Sequence, residues 1–178
     1  GGLMLWSESW SSYTDGKRAP VGGLADEALA KRLRIYKRQV AKRYRVIDPE
    51  QIERLLTQGP YHISTKLDGE LWFLVKREGE VALCAYNGRV LMGTPLAKEA
   101  AERLADAGDV ILAGELVAEP ESGSGRARVH HVATALGADE LEKTLSFHAF
   151  DLVEDDGKDT LLVDYDARVT RMSELLGE

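Results

Sequence analysis

Three short stretches hold side chains that could do chemistry. In Lys66-Leu67-Asp68-Gly69 an amine stands at the end of a strand-like run, just before a tight-turn pair. In Ala113-Gly114-Glu115-Leu116 a carboxylate interrupts an otherwise apolar strand. In Phe147-His148-Ala149-Phe150-Asp151-Leu152 two rings and an acid share a third strand-like run. Each stretch also has a plain structural reading. Lys66 could be a surface residue ahead of a hairpin turn. A carboxylate in an apolar strand must find donors, a cation or water, so Glu115 is either an edge residue facing solvent or a ligand for a hydroxyl or metal. Phe147 and Phe150 are ordinary core rings, or flat surfaces on which a purine could stack. Strand alternation puts Phe147 and Asp151 on one face, and His148 and Phe150 on the other.

The elements that must hold these residues follow from periodicity and turn chemistry. Residues 1–23 show no period. Asp26 is an N-cap for a helix over residues 27–44, with Leu29, Leu33, Tyr36 and Val40 at helical spacing and basic residues on the remaining face. Asp48-Pro49 starts a short helix that runs to Leu56, and Gly59-Pro60 stops it. Beyond this point the pattern changes to short strands over residues 61–67, 71–77 and 81–86, joined at Asp68-Gly69 and Glu78-Gly79-Glu80 as an antiparallel meander. Asn87-Gly88 turns the chain again. Thr94-Pro95 begins a helix, residues 97–107, that Gly108 ends. A strand over residues 109–117, a flexible loop at 121–125, one or two short helices within 129–143 and a strand over 145–153 come next. Asp155-Asp156-Gly157 makes a turn, and a final helix occupies residues 165–176. Strand groups interleaved with helices predict an α+β fold with antiparallel sheets packed against helices.

The chain of 178 residues, 44% of them hydrophobic, can bury a sizeable core. Without a membrane-length apolar run or a signal-peptide pattern, the expectation is a soluble cytoplasmic protein with no membrane partner. The single cysteine, Cys84, rules out an internal disulfide and a thiolate-built metal site, and its apolar surroundings make it a core residue. A net charge of −7 argues against nucleic acid until its distribution is considered. Residues 26–45 hold eight basic side chains against two acidic ones, a local charge of +6 that leaves −13 on the rest. That basic face is either solvated or in contact with a phosphate backbone.

The order Lys66-x-Asp68-Gly69, Asn87-Gly88-Arg89, Gly114-Glu115-Leu116 and Phe150-Asp151-Leu152 resembles the covalent nucleotidyltransferase superfamily of DNA ligases, RNA ligases and capping enzymes. The stretch from Phe150 through Asp156-Gly157 to residues 164–176, with Arg168 and Arg171, is similar to the segment after the third motif of ATP-dependent DNA ligases. The resemblance covers residues 60–178. It implies a ligase-type nucleotidyltransferase (ATP-grasp-like) fold, present only in its front portion, over residues 59–178, preceded by an extension over residues 1–58.

The function implied by the resemblance is specific. Lys66 would attack the α-phosphate of ATP and keep AMP as a phosphoramidate, with Mg²⁺ on the phosphates. AMP would then pass to the 5′-phosphate of a nick in DNA, or in RNA, the near alternative. Asp68 and Gly69 would shape the turn that presents Lys66, and Glu115 would hold the ribose or bridge to metal. Phe150 would stack on adenine, with Phe147 as the other choice. A backbone carbonyl near Ser64 would read the adenine amino group, where family members often have a glutamate. Arg89 would replace one of two arginines whose usual positions are filled by Leu71 and Tyr86, unless Asn87-Gly88-Arg89 is only a type I′ hairpin turn. Lys37, Arg38, Lys76 and Arg77 are candidates for gripping the nucleic acid strand. The family's later motifs, a Glu-Gly followed by lysine and a Lys-x-Lys pair, do not occur before Glu178. The expectation is therefore part of a longer monomeric ligase that includes an oligonucleotide-binding barrel. The alternative is a non-catalytic nucleotide- or nucleic-acid-binding module.

Overall fold

The structure, a computed structural model, describes residues 26–43, 45–118, 129–136 and 144–177, with only the backbone of Ala41. In chain order the elements are α1 (Glu27–Arg43), α2 (Pro49–Leu56), β1 (Glu70–Arg77), β2 (Glu80–Ala85), β3 (Val90–Met92), α3 (Pro95–Arg103), β4 (Val110–Ala118), α4 (Val129–Ala135), β5 (Leu145–Asp155), β6 (Lys158–Asp159) and α5 (Tyr165–Leu176). The expected loop at residues 121–125, the irregular N-terminal stretch and the second half of the 129–143 helical region lie outside the described residues.

The six strands form one sheet in the order β3-β2-β1-β4-β5-β6, with every neighbouring pair antiparallel. Two hairpins have the type I′ geometry that matches strand twist. Glu78 and Gly79 (φ 49° and 87°) join β1 to β2, and Asp156 and Gly157 (φ 50° and 74°) join β5 to β6. The turn at Asn87-Gly88 is of another kind. Gly88 alone is left-handed (φ 92°) and its N–H donates to the Ala85 carbonyl, so a type I turn is followed by a glycine that restores the ladder.

Both faces of the sheet are covered. On one face Trp72, Leu74, Leu83, Leu112 and Leu152 pack with Ala100 and Leu104 from the α3 region, Val132 and Ala135 of α4 and Met172 of α5. On the other, Phe73, Val75, Cys84, Ile111 and Val153 pack with Leu29, Leu33 and Tyr36 of α1. Tyr36 meets the Phe73 ring edge-on, centroids 5.5 Å apart. Cys84 is a core residue, as expected. Helix α1, assigned from sequence to an extension, thus shares a core with the sheet. Its Asp26 carboxylate caps the Ala28 and Leu29 N–H groups at 2.8 and 3.1 Å.

Polar ties fix α1 and α5 to the same strand. The Tyr36 hydroxyl donates to Asp151 Oδ2 at 2.6 Å, and Arg168 Nε of α5 lies 2.9 Å from Asp151 Oδ1. That last pair is held by charge and proximity, since the atoms lack hydrogen-bond alignment. Buried Glu154 is shared by Arg77, at 2.5 Å, and Arg32 of α1.

Four expectations from the sequence do not hold. Residues 61–67 are not a strand. Both hydrogen-bonding edges of β1 are occupied, by β2 and β4, so a segment leading straight into β1 has no edge to join. Helix α3 stops at Arg103 rather than at Gly108. Lys76, expected at a nucleic-acid surface, is instead 7% exposed. Its ammonium donates to the carbonyls of Leu104, Ala105 and Ala107 at 2.5, 3.1 and 2.7 Å, in the turn that follows the helix. Arg77, likewise a surface candidate, is tied to Glu154.

Replacing Lys76 with Met leaves those carbonyls without their donor. Loss of about 2–4 kcal/mol in unfolding free energy is expected from urea denaturation. An unchanged midpoint would mean that water supplies the same hydrogen bonds.

Candidate active site

The segment that carries Lys66 runs from α2 to β1 without regular secondary structure, and Lys66 itself is exposed. It is fastened at two ends. Upstream, His62 contacts the Asp166 carboxylate and packs edge-on against the Tyr165 ring, centroids 5.4 Å apart. Downstream, the Gly69 N–H donates to Glu115 Oε1 at 3.0 Å. The glycine is required there: a Cβ would fall 2.2 Å from the Leu116 carbonyl oxygen and 2.9 Å from Glu115 Cγ.

Glu115 is the one position of β4 that is not buried, with Leu71 opposite it on β1 and His148 opposite it on β5. Burial pushes its carboxyl above the ordinary glutamate value. The Gly69 N–H and the charge of Lys66 pull the other way, while Asp68 and Glu70 add to the rise.

Strand β5 departs from simple alternation. Ala149 faces Gly114 and Asp151 faces Ala113, which leaves Phe150 as the extra residue of a bulge. Phe150 and Asp151 therefore both turn to the α1 face, where Phe150 packs beside that core and Asp151 meets Tyr36. Phe147 lies on the opposite face, its ring where a Gly114 Cβ would be. The expected sharing of a face by Phe147 and Asp151 is thus wrong by one residue, because a bulge shifts the register of everything after it. The Phe150 carbonyl accepts from the Tyr165 hydroxyl at 2.9 Å.

These pieces enclose a cleft of about 780 Å³ lined by Ser64, Thr65, Lys66 and Leu67, by Leu71, Glu115, His148, Ala149 and Phe150, and by Val40 and Tyr165. That volume is in the range of small-molecule sites. Of the residues singled out from sequence, Ser64, Lys66, Glu115 and Phe150 line it, and Phe147 does not. Asp68 and Gly69 stand beside it, the first through its charge on Glu115 and the second through its N–H. Arg89 lies elsewhere: it pairs with Glu70 at 3.0 Å and sits over the Trp72 ring on the opposite face. Lys37 stands 3.5 Å over the Tyr86 ring, and Arg38 is exposed. Sequence reasoning missed Tyr165, His62 and Val40 as parts of the site. An aromatic at a helix start and a lone histidine in a loop carry no pattern that marks them.

The cleft offers apolar side chains and the rings of Phe150, Tyr165 and His148 for a base, a carboxylate for hydroxyls and an amine for an electrophile. Among the described residues no group of three or more His, Cys, Asp or Glu side chains is gathered to hold a metal. Glu115 suits a cation that keeps most of its ligands on a bound nucleotide, as magnesium does. Nor, among the described residues, is any helix long and apolar enough to cross a membrane.

No protein-family model matches the chain, and no curated protein does. Solved structures do, and the α+β arrangement seen here agrees with the ligase-type nucleotidyltransferase fold of one of them. One is a mycobacterial DNA ligase D complexed with ATP and MES, 27% identical over 64% of this chain, with a TM-score of 0.50. The match takes in 36% of that structure's chain. Another is the ligase domain of M. tuberculosis LigD, 28% identical, covering 63% of this chain and 35% of its own, with a TM-score of 0.49.

Two outcomes test this geometry. Gly69→Ala should cost about 1–3 kcal/mol, because backbone rather than a flexible side chain blocks the new methyl. Thermal unfolding measures it, and a neutral effect would show the segment free to move away. Glu115 has a raised value in the fold, so its contribution to stability is greatest below the unfolded value of about 4.3 and is lost as pH rises through the folded one. Glu115→Gln should therefore gain stability relative to the native chain between acid and neutral pH. Parallel pH profiles for the two proteins would contradict the assigned burial effect.

Proposed function

We propose that the chain carries the nucleotide-charging chemistry of an ATP-dependent DNA ligase, with Lys66 as the residue that takes up AMP. The supporting observation is the convergence of Lys66, Glu115 and Phe150 on one cleft, from three segments far apart in sequence. The likeness to a DNA ligase complexed with ATP agrees with that choice of nucleotide.

In the first step the neutral Lys66 amine attacks the α-phosphorus of ATP. The Nζ–P bond forms, the bond from phosphorus to the bridging oxygen of pyrophosphate breaks, pyrophosphate departs and the amine releases a proton to solvent. Phe150 stacks on adenine, the backbone near Ser64 reads the exocyclic amine and Glu115 accepts from the ribose. Val40, Leu67 and Leu71 exclude water from the base. Where Glu115 serves metal rather than ribose, it would hold magnesium on the bound nucleotide, and the ion would supply charge neutralisation there. Asp68 and Gly69 fix the backbone that presents the amine. AMP next passes to the 5′-phosphate at a nick, freeing the lysine, and a 3′-hydroxyl finally displaces AMP to seal the strand.

Sealing would be the work of a cytoplasmic, monomeric ligase that also contributes the later motifs and an oligonucleotide-binding barrel. The nicked strand is assigned as DNA in preference to RNA because the solved neighbour is a DNA ligase.

Incubation with ATP and Mg²⁺ should add the mass of one AMP group to Lys66, located by peptide mass spectrometry and absent in Lys66→Ala. An adduct on another residue would overturn the assignment. Nicked DNA, nicked RNA and mixed duplexes offered to the charged protein distinguish the acceptors.

A further inference from the structure

The basic residues of α1 are not equivalent once the helix is packed. Leu29, Leu33, Tyr36 and Val40 face the sheet. At 100° per residue, Lys31, Arg34, Arg38 and Lys42 fall within one narrow arc on the opposite side, and all four are exposed. Arg32 and Lys37, on the flanks, are already engaged, the first by Glu154 and Asp159 and the second by the Tyr86 ring. Among the described residues none of the four outer cations has an ion pair or hydrogen-bond partner. The result is an unneutralised stripe about 16 Å long on a protein whose net charge is −7.

We infer that Lys31, Arg34, Arg38 and Lys42 form a docking track for the phosphate backbone of a nucleic acid duplex. Three observations select this occupant. A continuous positive strip on a chain that is acidic elsewhere is complementary to a polyanion. An anionic bilayer would require the apolar face of the helix, and Leu29, Leu33 and Tyr36 are only 4%, 0% and 2% exposed because the sheet covers them. The track is also carried by a helix that borders the site: Val40, two residues from Arg38 and from Lys42 but on the sheet-facing side of α1, lines the cleft. Contacts of this kind read charge and spacing and carry no base sequence.

The inference rests on the polynucleotide reading above, and the test separates the two. Binding of the 178-residue chain to a short nicked duplex of mixed sequence is followed by fluorescence anisotropy as salt is varied. Changing all four residues to alanine, a good helix former, should flatten the slope of log K against log salt by about 3.6, at about 0.9 for each phosphate no longer neutralised. Arg32→Ala, which removes a cation engaged internally, should leave the slope as it is. A slope unchanged in the fourfold variant overturns the track, and so does an equal loss in Arg32→Ala, which would report total charge only. A chain that binds phosphatidylglycerol vesicles and not the duplex overturns it as well. Charging of Lys66 by ATP should be the same in native and fourfold-variant protein. If neither forms the adduct while the slope difference persists, the catalytic reading fails and the track stands.

Discussion

Strand β4 sits between β1 and β5 in a sheet that is buried on both sides, and the other features of the molecule follow from that confinement. A central strand with both edges paired and both faces covered cannot give its side chains to water. Glu115 is the exception along it, at the place where the cleft opens. The same confinement explains why its carboxyl is pushed upward and why it draws on the Gly69 N–H. A half-buried charge needs donors, and a glycine pressed against β4 provides a backbone hydrogen bond.

The two bulges of β5 are the second determinant. Phe150 and Val153 each lack a partner on β4, so the strand bends and re-aims its side chains where it borders the cleft. Without the first bulge Asp151 would point away from α1, and the contact between Tyr36, Asp151 and Arg168 that ties α1, β5 and α5 together could not form. One inserted residue therefore serves the site and the core together.

Much of this was legible from the chain itself, where the physics is local. The apolar spacing of α1, the capping by Asp26 and Thr94, the Glu78-Gly79 and Asp156-Gly157 hairpins and the bounds of α5 all depend on residues within a turn of one another. Lys66, Glu115 and Phe150 were legible as a set because their order along the chain was informative. What failed depends on distant partners. Residues 61–67 have the composition of a strand, yet strand formation needs a free edge that no local pattern reports. Lys76 has the look of a surface residue because the carbonyls it caps belong to a turn after α3, about thirty positions later. The faces of Phe147 and Asp151 were misjudged because a bulge leaves no sequence mark that alternation can detect, and Arg89 was misplaced because Glu70 and Trp72 hold it on the far side of the sheet.

The first turn of α5 holds His62 through Asp166 and Tyr165, and holds the backbone of Phe150 through the Tyr165 hydroxyl. One helical turn thus sets how far apart the lysine-bearing segment and the aromatic wall stand. During synthesis Lys66, Glu115 and Phe150 leave the ribosome before that brace does. A nascent chain can hold all three of these side chains and still lack a cleft of fixed width, so the site matures only when α5 has docked.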